Sequence, residues 1–379
     1  MNVIPSRRAA GVTYAIRYVE RFAQARRAAG KDILNLNIGD PAKYDFDVPA
    51  HLKTAVKKAL NDKNYYSPSA GLDEARDAVA KHHGVSMQDV FITGGVTEAI
   101  QIILNVLLNP QDAVMLPKPT YPLYTAQCMA LGLKYVYYPT DDQWQPTVHT
   151  VPANAKALVV INPNNPTGAV YSKKILKNIV NIAATNKFVL IADEIYDHMV
   201  FEEHTPLAKI VKDEVPLVTL NGLSKNFLAP GWRIGWMALK NMETGLLTDA
   251  IQNLLESKLC APTPFQFAIK PALTGSQKHI PQMVRKLKKR RDYVYKRLNE
   301  IPGMSCTKPG GAFYAFPKIP AEDDYNFVRR LCEETGVLCV HGSGFGKPGH
   351  MRVVFLPQEK VLEEAMERIE GFVRNLKGR

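Results

Sequence analysis

ALVVINPNNPTGAVYSKKILKNIVNIAATNKFVLIADE, residues 157–194, holds two near-continuous apolar runs joined by a longer amphipathic stretch. The first run ends in polar Asn162 to Asn165 and the second in Asp193 and Glu194. Short apolar runs separated by the helical spacing of residues 172–185 predict strands buried on both faces of a mainly parallel sheet. The alternation continues outward in both directions: VFIT (90–93), AVMLP (113–117) and KYVYYP (134–139) precede it, and LVTLNGLSK (217–225) and WRIGWMAL (232–239) follow. Thr97 to Leu108 reads as a further helix. The expected class is therefore α/β, a mostly parallel seven-stranded sheet flanked by helices.

After Pro309 the character changes. KPGGAFYAF reads as a strand after a glycine turn, residues 324–335 and 358–376 as helices, and VLCVHGSGFG and MRVVFL as two more strands. This order predicts a smaller α+β domain. The expected division is an N-terminal arm and part of the small domain at 1–48, a large domain at 49–275 and the small domain at 276–379. Between the two domains, PQMVRKLKKRRDYVYKRLNE (281–300) places Val284, Leu287, Val294, Leu298 and Ile301 at helical spacing, with Arg291 at the missing step. It is expected to be an amphipathic helix with a solvated basic face.

The 379 residues carry a formal net charge of +12, with 46% apolar and 22% charged residues, which excludes disordered, collagenous and coiled-coil chains. No run of about 18 apolar residues is present to span a bilayer. The basic start, MNVIPSRRAAGVTYAIRYVERF, is Arg-rich and acid-poor like a transit peptide but lacks the apolar region and cleavage site of a secretory signal; it is read as part of the fold. Five cysteines (Cys128, Cys260, Cys306, Cys332, Cys339) without a C-x-x-C pair predict reduced thiols in a cytoplasmic protein, not a disulfide framework or a metal site. Excess positive charge suits either nucleic acid or small anionic substrates, and composition leaves both open.

Ligands of open α/β sheets bind beyond the carboxyl ends of the strands, and here those ends carry Asn165, Asp193 and Lys225. A lysine desolvated in a cleft loses basicity and can form a Schiff base, although alone Lys225 reads more readily as a surface lysine at a strand end. Pyridoxal phosphate needs such a lysine, an acid facing its pyridine nitrogen and a phosphate cradle. Asp193 could be that acid or a helix cap. Asn165 could meet a phenolic oxygen or merely form its turn, and Tyr196 could reach the same oxygen or pack in the core. TGGVTEAI (93–100) passes through Gly94 and Gly95 into a helix, exposing the Val96 and Thr97 N–H groups to an anion. Ser224 and Arg233 flank the lysine and could complete that cradle. Tyr121 offers a ring for stacking, and Arg352, within an apolar strand, calls for a carboxylate or an internal salt bridge.

Together LNIGDP (36–41), YSPSAGLDEAR (66–76), NPNNPTG (162–168), ADEIY (192–196), SK with GWRIG (224–225, 231–235), GGAFYAF (310–316), HGSGFG (341–346) and GHMRVVFLP (349–357) resemble the class I aminotransferases, pyridoxal phosphate enzymes of fold type I. Within them the chain is most similar to the prokaryotic alanine aminotransferases. The resemblance implies that Lys225 carries the cofactor and moves the proton at the substrate Cα. It implies that Asp193 pairs with the ring nitrogen, that Asn165 and Tyr196 hold the phenolic oxygen, and that Tyr121 stacks on the ring. Gly95, Val96, Thr97, Ser224 and Arg233 are expected at the phosphate, joined by Tyr66 from the neighbouring subunit of a homodimer. Arg352 is expected to clamp the α-carboxylate, with Gly39 beside it and Tyr14 near the substrate.

The implied reaction is ping-pong transfer of an amino group between an L-amino acid (alanine or glutamate) and a 2-oxo acid (2-oxoglutarate or pyruvate). An aspartate or broad-specificity aminotransferase and a β-lyase on the same fold are the alternatives. A basic nucleic-acid-binding protein with an inactive enzyme fold is a third, and it leaves Lys225, Asp193, Asn165 and Arg352 unexplained. Gly222 stands where some relatives carry a phosphate-binding serine, and no motif supplies an arginine for a substrate side-chain carboxylate, which favours alanine over aspartate.

Overall fold

The computed structural model describes residues 3–211 and 213–377. Its strands are β1 (Leu34–Asn35), β2 (Val90–Thr93), β3 (Ala113–Pro117), β4 (Lys134–Tyr138), β5 (Ala155–Ile161), β6 (Val189–Asp193), β7 (Leu217–Gly222), β8 (Gly235–Lys240), β9 (Tyr314–Ala315), β10 (Val337–Leu338), β11 (Val340–His341) and β12 (Met351–Val354). Strands β2 to β8 form one seven-stranded sheet in the order β2-β8-β7-β6-β5-β3-β4. Its pairs are parallel except around β8, which runs antiparallel to β2 and β7.

The apolar runs are continuous because both faces are covered. Leu158 and Val160 of β5 enter one hydrophobic core and Ala157, Val159 and Ile161 the other. Each large apolar side chain so buried contributes about 1.5–3 kcal/mol. Helix Val96–Leu107 lays Ala99, Ile100, Ile103 and Leu104 on one face. Helix Lys173–Asn186 lays Leu176, Ile179, Val180 and Ala183 on the other, its start capped by Ser172 Oγ accepting from Ile175 N–H at 3.3 Å.

WRIGWMAL is a strand only from Gly235. Pro230–Trp232 forms a 3-10 turn and Arg233 takes a left-handed φ of 54°, so the arginine leaves the ladder and turns toward Gly94. The run VLCVH also divides: Val337 and Leu338 pair in parallel with Leu34 and Asn35, whereas Val340 and His341 pair antiparallel with Arg352 and Met351. Strands β11, β12 and β9 make a three-stranded antiparallel sheet, and helices Asp324–Thr335 and Glu359–Lys377 pack beside it.

The long basic helix spans His279–Glu300 and differs from its expected pattern. Met283 takes the buried place expected for half-buried Val284, Arg291 is buried at the missing step of the apolar face, and Arg290 leaves the solvated face. Arg290 reaches both carboxylate oxygens of Asp45 at 2.8 Å and the Leu356 carbonyl at 2.5 Å; Arg291 donates to the Pro309 carbonyl at 2.7 Å. A guanidinium is buried where such fixed acceptors meet it, which helical spacing cannot reveal. No helix among the described residues is long and apolar enough to cross a membrane.

Candidate active site

The carboxyl ends of β5, β6 and β7 open onto a cavity of about 570 Å³. Lys225, Asp193, Tyr196, Asn165, Val96, Thr97, Tyr121, Ser224, Arg233, Gly39, Arg352 and Tyr14 all line it. The seven-stranded sheet delivers Val96, Thr97, Tyr121, Asn165, Asp193, Tyr196, Ser224 and Lys225 to one edge, and Tyr14, Gly39 and Arg352 approach it from outside that sheet.

Lys225 leaves the end of β7 and donates from Nζ to the Gly39 carbonyl at 2.7 Å. Burial pulls its amine down to about 8, with Arg352 and Arg233 adding to the fall and Asp40 opposing it. Near neutral pH it can therefore exchange a proton. Asp193, the last residue of β6, is buried; its Oδ2 accepts from the Tyr124 hydroxyl at 3.0 Å and its Oδ1 from Ile195 N–H at 3.4 Å. No helix follows directly for it to cap. Burial raises its carboxyl to about 6 despite both donors.

That shift carries a stability prediction for the ligand-free protein. An unfolded Asp ionises near 3.8, whereas Asp193 keeps its proton to about 6, so stability falls as pH rises between those values. Above pH 6 the full cost, about 3 kcal/mol for roughly two units, is present. Asp193→Asn is expected to raise the Tm by a few degrees at pH 7.5 and leave it unchanged at pH 4. Equal Tm changes at both pH values would refute this account.

Arg352 is 1% exposed, and no carboxylate pairs with it among the described residues. Its two terminal nitrogens donate to Asn165 Oδ1 at 2.8 Å and to the Asn37 carbonyl at 2.5 Å, while Nε is buried without a partner. Two neutral acceptors hold the cation in place and leave N–H groups for an anion. Its guanidinium also lies 4.5 Å from the Tyr314 ring centre. Tyr196 and Tyr314 share a hydroxyl contact of 2.8 Å, and Tyr14 and Tyr121 one of 2.9 Å. Burial holds the Tyr121 and Tyr196 phenols well above their ordinary range, hence protonated.

The anion cradle is built at the start of helix Val96–Leu107. The first-turn N–H groups of a helix have no partner within it, and Val96 and Thr97 lie on the cavity wall. Gly95 sits behind them at φ 81°, where a Cβ would strike the Arg233 guanidinium at 2.5 Å. A Cβ at Gly235 would lie 2.6 Å from the Val96 nitrogen, so these glycines let the backbone and Arg233 approach closely. At Gly222 a side chain would meet the Ile234 carbonyl at 2.6 Å, which leaves no room for the serine of some relatives.

Tyr66 lies off this cavity and is 78% exposed in the single chain. The structure adds Arg17, Asp40 and Tyr314 to the wall, and Tyr124 behind Asp193. The motifs holding Asp40 and Tyr314 were visible, but nothing in one-dimensional spacing aimed their side chains. Among the described residues no group of His, Cys, Asp or Glu could hold a metal ion.

The family model described as aminotransferase class I and II matches residues 31–369. A glutamate-pyruvate aminotransferase from Haemophilus influenzae is 39% identical, the match covering 96% of each chain. An alanine aminotransferase from Mycobacterium tuberculosis is also 39% identical over 96% of this chain and 90% of its own. Among solved structures, the alanine aminotransferase from Pyrococcus furiosus superposes with a TM-score of 0.95 at 45% identity, covering 98% of this chain and all of the other. A mutant of the aspartate aminotransferase from Thermus thermophilus gives 0.90 at 30% identity, covering 98% and 100%.

Proposed function

The chain belongs to the class I and II aminotransferases, and from that premise we propose that it exchanges an amino group between alanine with 2-oxoglutarate and glutamate with pyruvate, using pyridoxal 5'-phosphate. The observation that carries the reading is one cavity holding a lysine of lowered basicity, a buried carboxyl, an anion cradle and an unsaturated arginine. That donor set fits the cofactor. Val96 and Thr97 N–H with Ser224 and Arg233 would hold its phosphate, Asp193 its ring nitrogen, Asn165 and Tyr196 its phenolic oxygen, and Tyr121 its ring face. When bound, the group supplies an electron-delocalising ring and a carbonyl for the amine.

The chain's own residues do the rest. Arg352 receives the substrate α-carboxylate on its remaining N–H groups and so fixes the Cα beside Lys225. Lys225, poised near pH 8, takes and returns the proton at that carbon. Asp193 stays ionised once it faces a cation. Tyr14, joined to Tyr121 through their hydroxyls, lines the cavity beside the ring. After the first 2-oxo acid leaves, a second enters and reverses the same steps.

Tyr66 is assigned to the partner's phosphate in a homodimer, a placement supported by its exposure outside its own cavity. The division into residues 1–48, 49–275 and 276–379 belongs to the same proposal, supported by the pairing of β1 with β10. So does a cytoplasmic location.

Arg17 lines the mouth, and no ion pair reaches it among the described residues. It suits the second carboxylate of glutamate or 2-oxoglutarate, which alanine and pyruvate lack. Arg17→Ala is expected to raise KM for both dicarboxylates about tenfold, the scale of a hydrogen bond to a charged group. KM for alanine and pyruvate should change less than about threefold. Parallel rises for all four would refute the assignment.

An absorption spectrum tests the whole reading. A visible band from bound cofactor should be lost on adding L-alanine and restored by 2-oxoglutarate, with L-aspartate less effective. No band after adding pyridoxal phosphate would defeat it. Release of ammonia and pyruvate from a cysteine conjugate without an oxo-acid acceptor would indicate β-lyase chemistry instead.

A further inference from the structure

Asp197 lies outside the cavity, one residue after Tyr196, yet it grips the segment that bears Lys225 at both ends. Its Oδ2 accepts from Asn221 Nδ2 at 3.0 Å and its Oδ1 from Asn226 Nδ2 at 2.5 Å. Asn221 stands four residues before Lys225 and Asn226 directly after it. Asn221 Oδ1 in turn accepts from Gly222 N–H at 2.7 Å, and the Asn226 carbonyl accepts from His279 Nε2 at 2.9 Å. A carbonyl only accepts, so Nε2 carries the proton. The segment is also held by backbone bonds, Leu223 N–H to the Ile234 carbonyl at 3.0 Å and Ala229 N–H to the Leu223 carbonyl at 3.1 Å, and by Leu223 and Phe227, which are buried in a hydrophobic core.

A lysine stem has several freely rotating bonds, and the far end of Lys225 is held by one hydrogen bond, Nζ to the Gly39 carbonyl, and by the Phe313 ring, whose centre lies 5.8 Å from Nζ. Neither contact fixes the rotamers of the stem between Cα and Nζ. The backbone at the near end must therefore be fixed as well to keep the amine on target. Reacting atoms must meet at about 3–3.5 Å, and a misplacement near 1 Å costs about a hundredfold.

We propose that Asp197 is a positioning residue for the reaction, fixing the Lys225 backbone through Asn221 and Asn226, with His279 as a second clamp on Asn226. The proposal rests on the reading of Lys225 as the group that moves the proton. It assigns Asp197 no contact with substrate or cofactor.

The test compares wild type, Asp197→Ala, Asp197→Asn, Asn226→Ala and the Asp197→Ala/Asn226→Ala double variant, each as holoenzyme. Asp197→Ala is expected to lower kcat about 10- to 100-fold, with KM for alanine within about threefold because Arg352 is untouched. Asp197→Asn keeps an acceptor and should lie between. The double variant should be no worse than about twofold below the weaker single variant, since both act through one contact.

A second readout uses the cofactor-free protein. Acetylation of Lys225 by acetic anhydride, followed by peptide mass spectrometry across pH, should show a midpoint near 8 in wild type. In Asp197→Ala the loosened amine becomes better solvated, and the midpoint should rise by about one unit. A residue that merely supported the fold would lower the Tm without moving this midpoint. If Asp197→Ala does not fold, Asp197→Asn and Asn226→Ala carry the same two readouts.

A kcat within twofold of wild type with an unmoved midpoint overturns the proposal, as do additive losses in the double variant. The parent reading fails separately: it falls if Lys225→Ala stays active. If that variant is inactive while the Asp197 variants behave as wild type, only the positioning role is lost.

Discussion

Lys225→Ala is expected to abolish turnover, lowering kcat by at least about 10⁴-fold, the upper range for one positioned acid–base group. Among the described residues Lys225 is the one lysine on the cavity wall, so no second amine stands ready to replace it. The fold should survive the change. The side chain makes one hydrogen bond, to the Gly39 carbonyl, and burial already disfavours its charged form. Steady-state kinetics with L-alanine and 2-oxoglutarate, beside a thermal melt, give the decisive comparison. Activity within tenfold of wild type in a folded variant would remove Lys225 from the mechanism and the cofactor assignment with it.

Arg352→Ala is expected to lower kcat/KM for alanine and for pyruvate by about 10²–10³-fold, chiefly through KM. Losing one partner of a buried, hydrogen-bonded charge pair costs about 2–5 kcal/mol, which sets that scale. The change also strands Asn165 Oδ1 and the Asn37 carbonyl, so about 1–3 kcal/mol of stability should go as well. Arg352→Lys separates the two effects. It keeps the charge and can satisfy an acceptor, but it lacks the planar fork for a carboxylate, so KM should stay high while the Tm largely recovers. A lysine variant with normal KM would show that charge alone suffices and that the fork is not used.

These two predictions differ in how far the sequence could carry them. Lys225, Asp193 and Asn165 each stand at the end of an apolar run, and a strand end is a local property of the chain. Arg352 sits inside β12, where local pattern says only that a cation is out of place. Its acceptors lie 187 and 315 residues away, and its unpartnered Nε appears only once those distant segments meet. The same limit explains Arg290, whose partners Asp45 and Leu356 approach from opposite ends of the chain. Periodicity therefore placed it on a solvated face.

The sequence by itself determined the α/β class, the seven strand runs and which polar residues stand at their ends. It could do so because burial on both faces of a sheet demands continuous apolar runs, and each run is read within a few neighbouring positions. Tertiary structure alone decided that Arg17 and Asp40 face the cavity, that Gly222 has no space for a side chain, and that Asp197 holds the lysine segment from outside. These are matters of distance between segments remote in sequence. A linear pattern records what each residue prefers, whereas the meeting of donor, acceptor and backbone at 2.5–3.0 Å exists only in the packed chain.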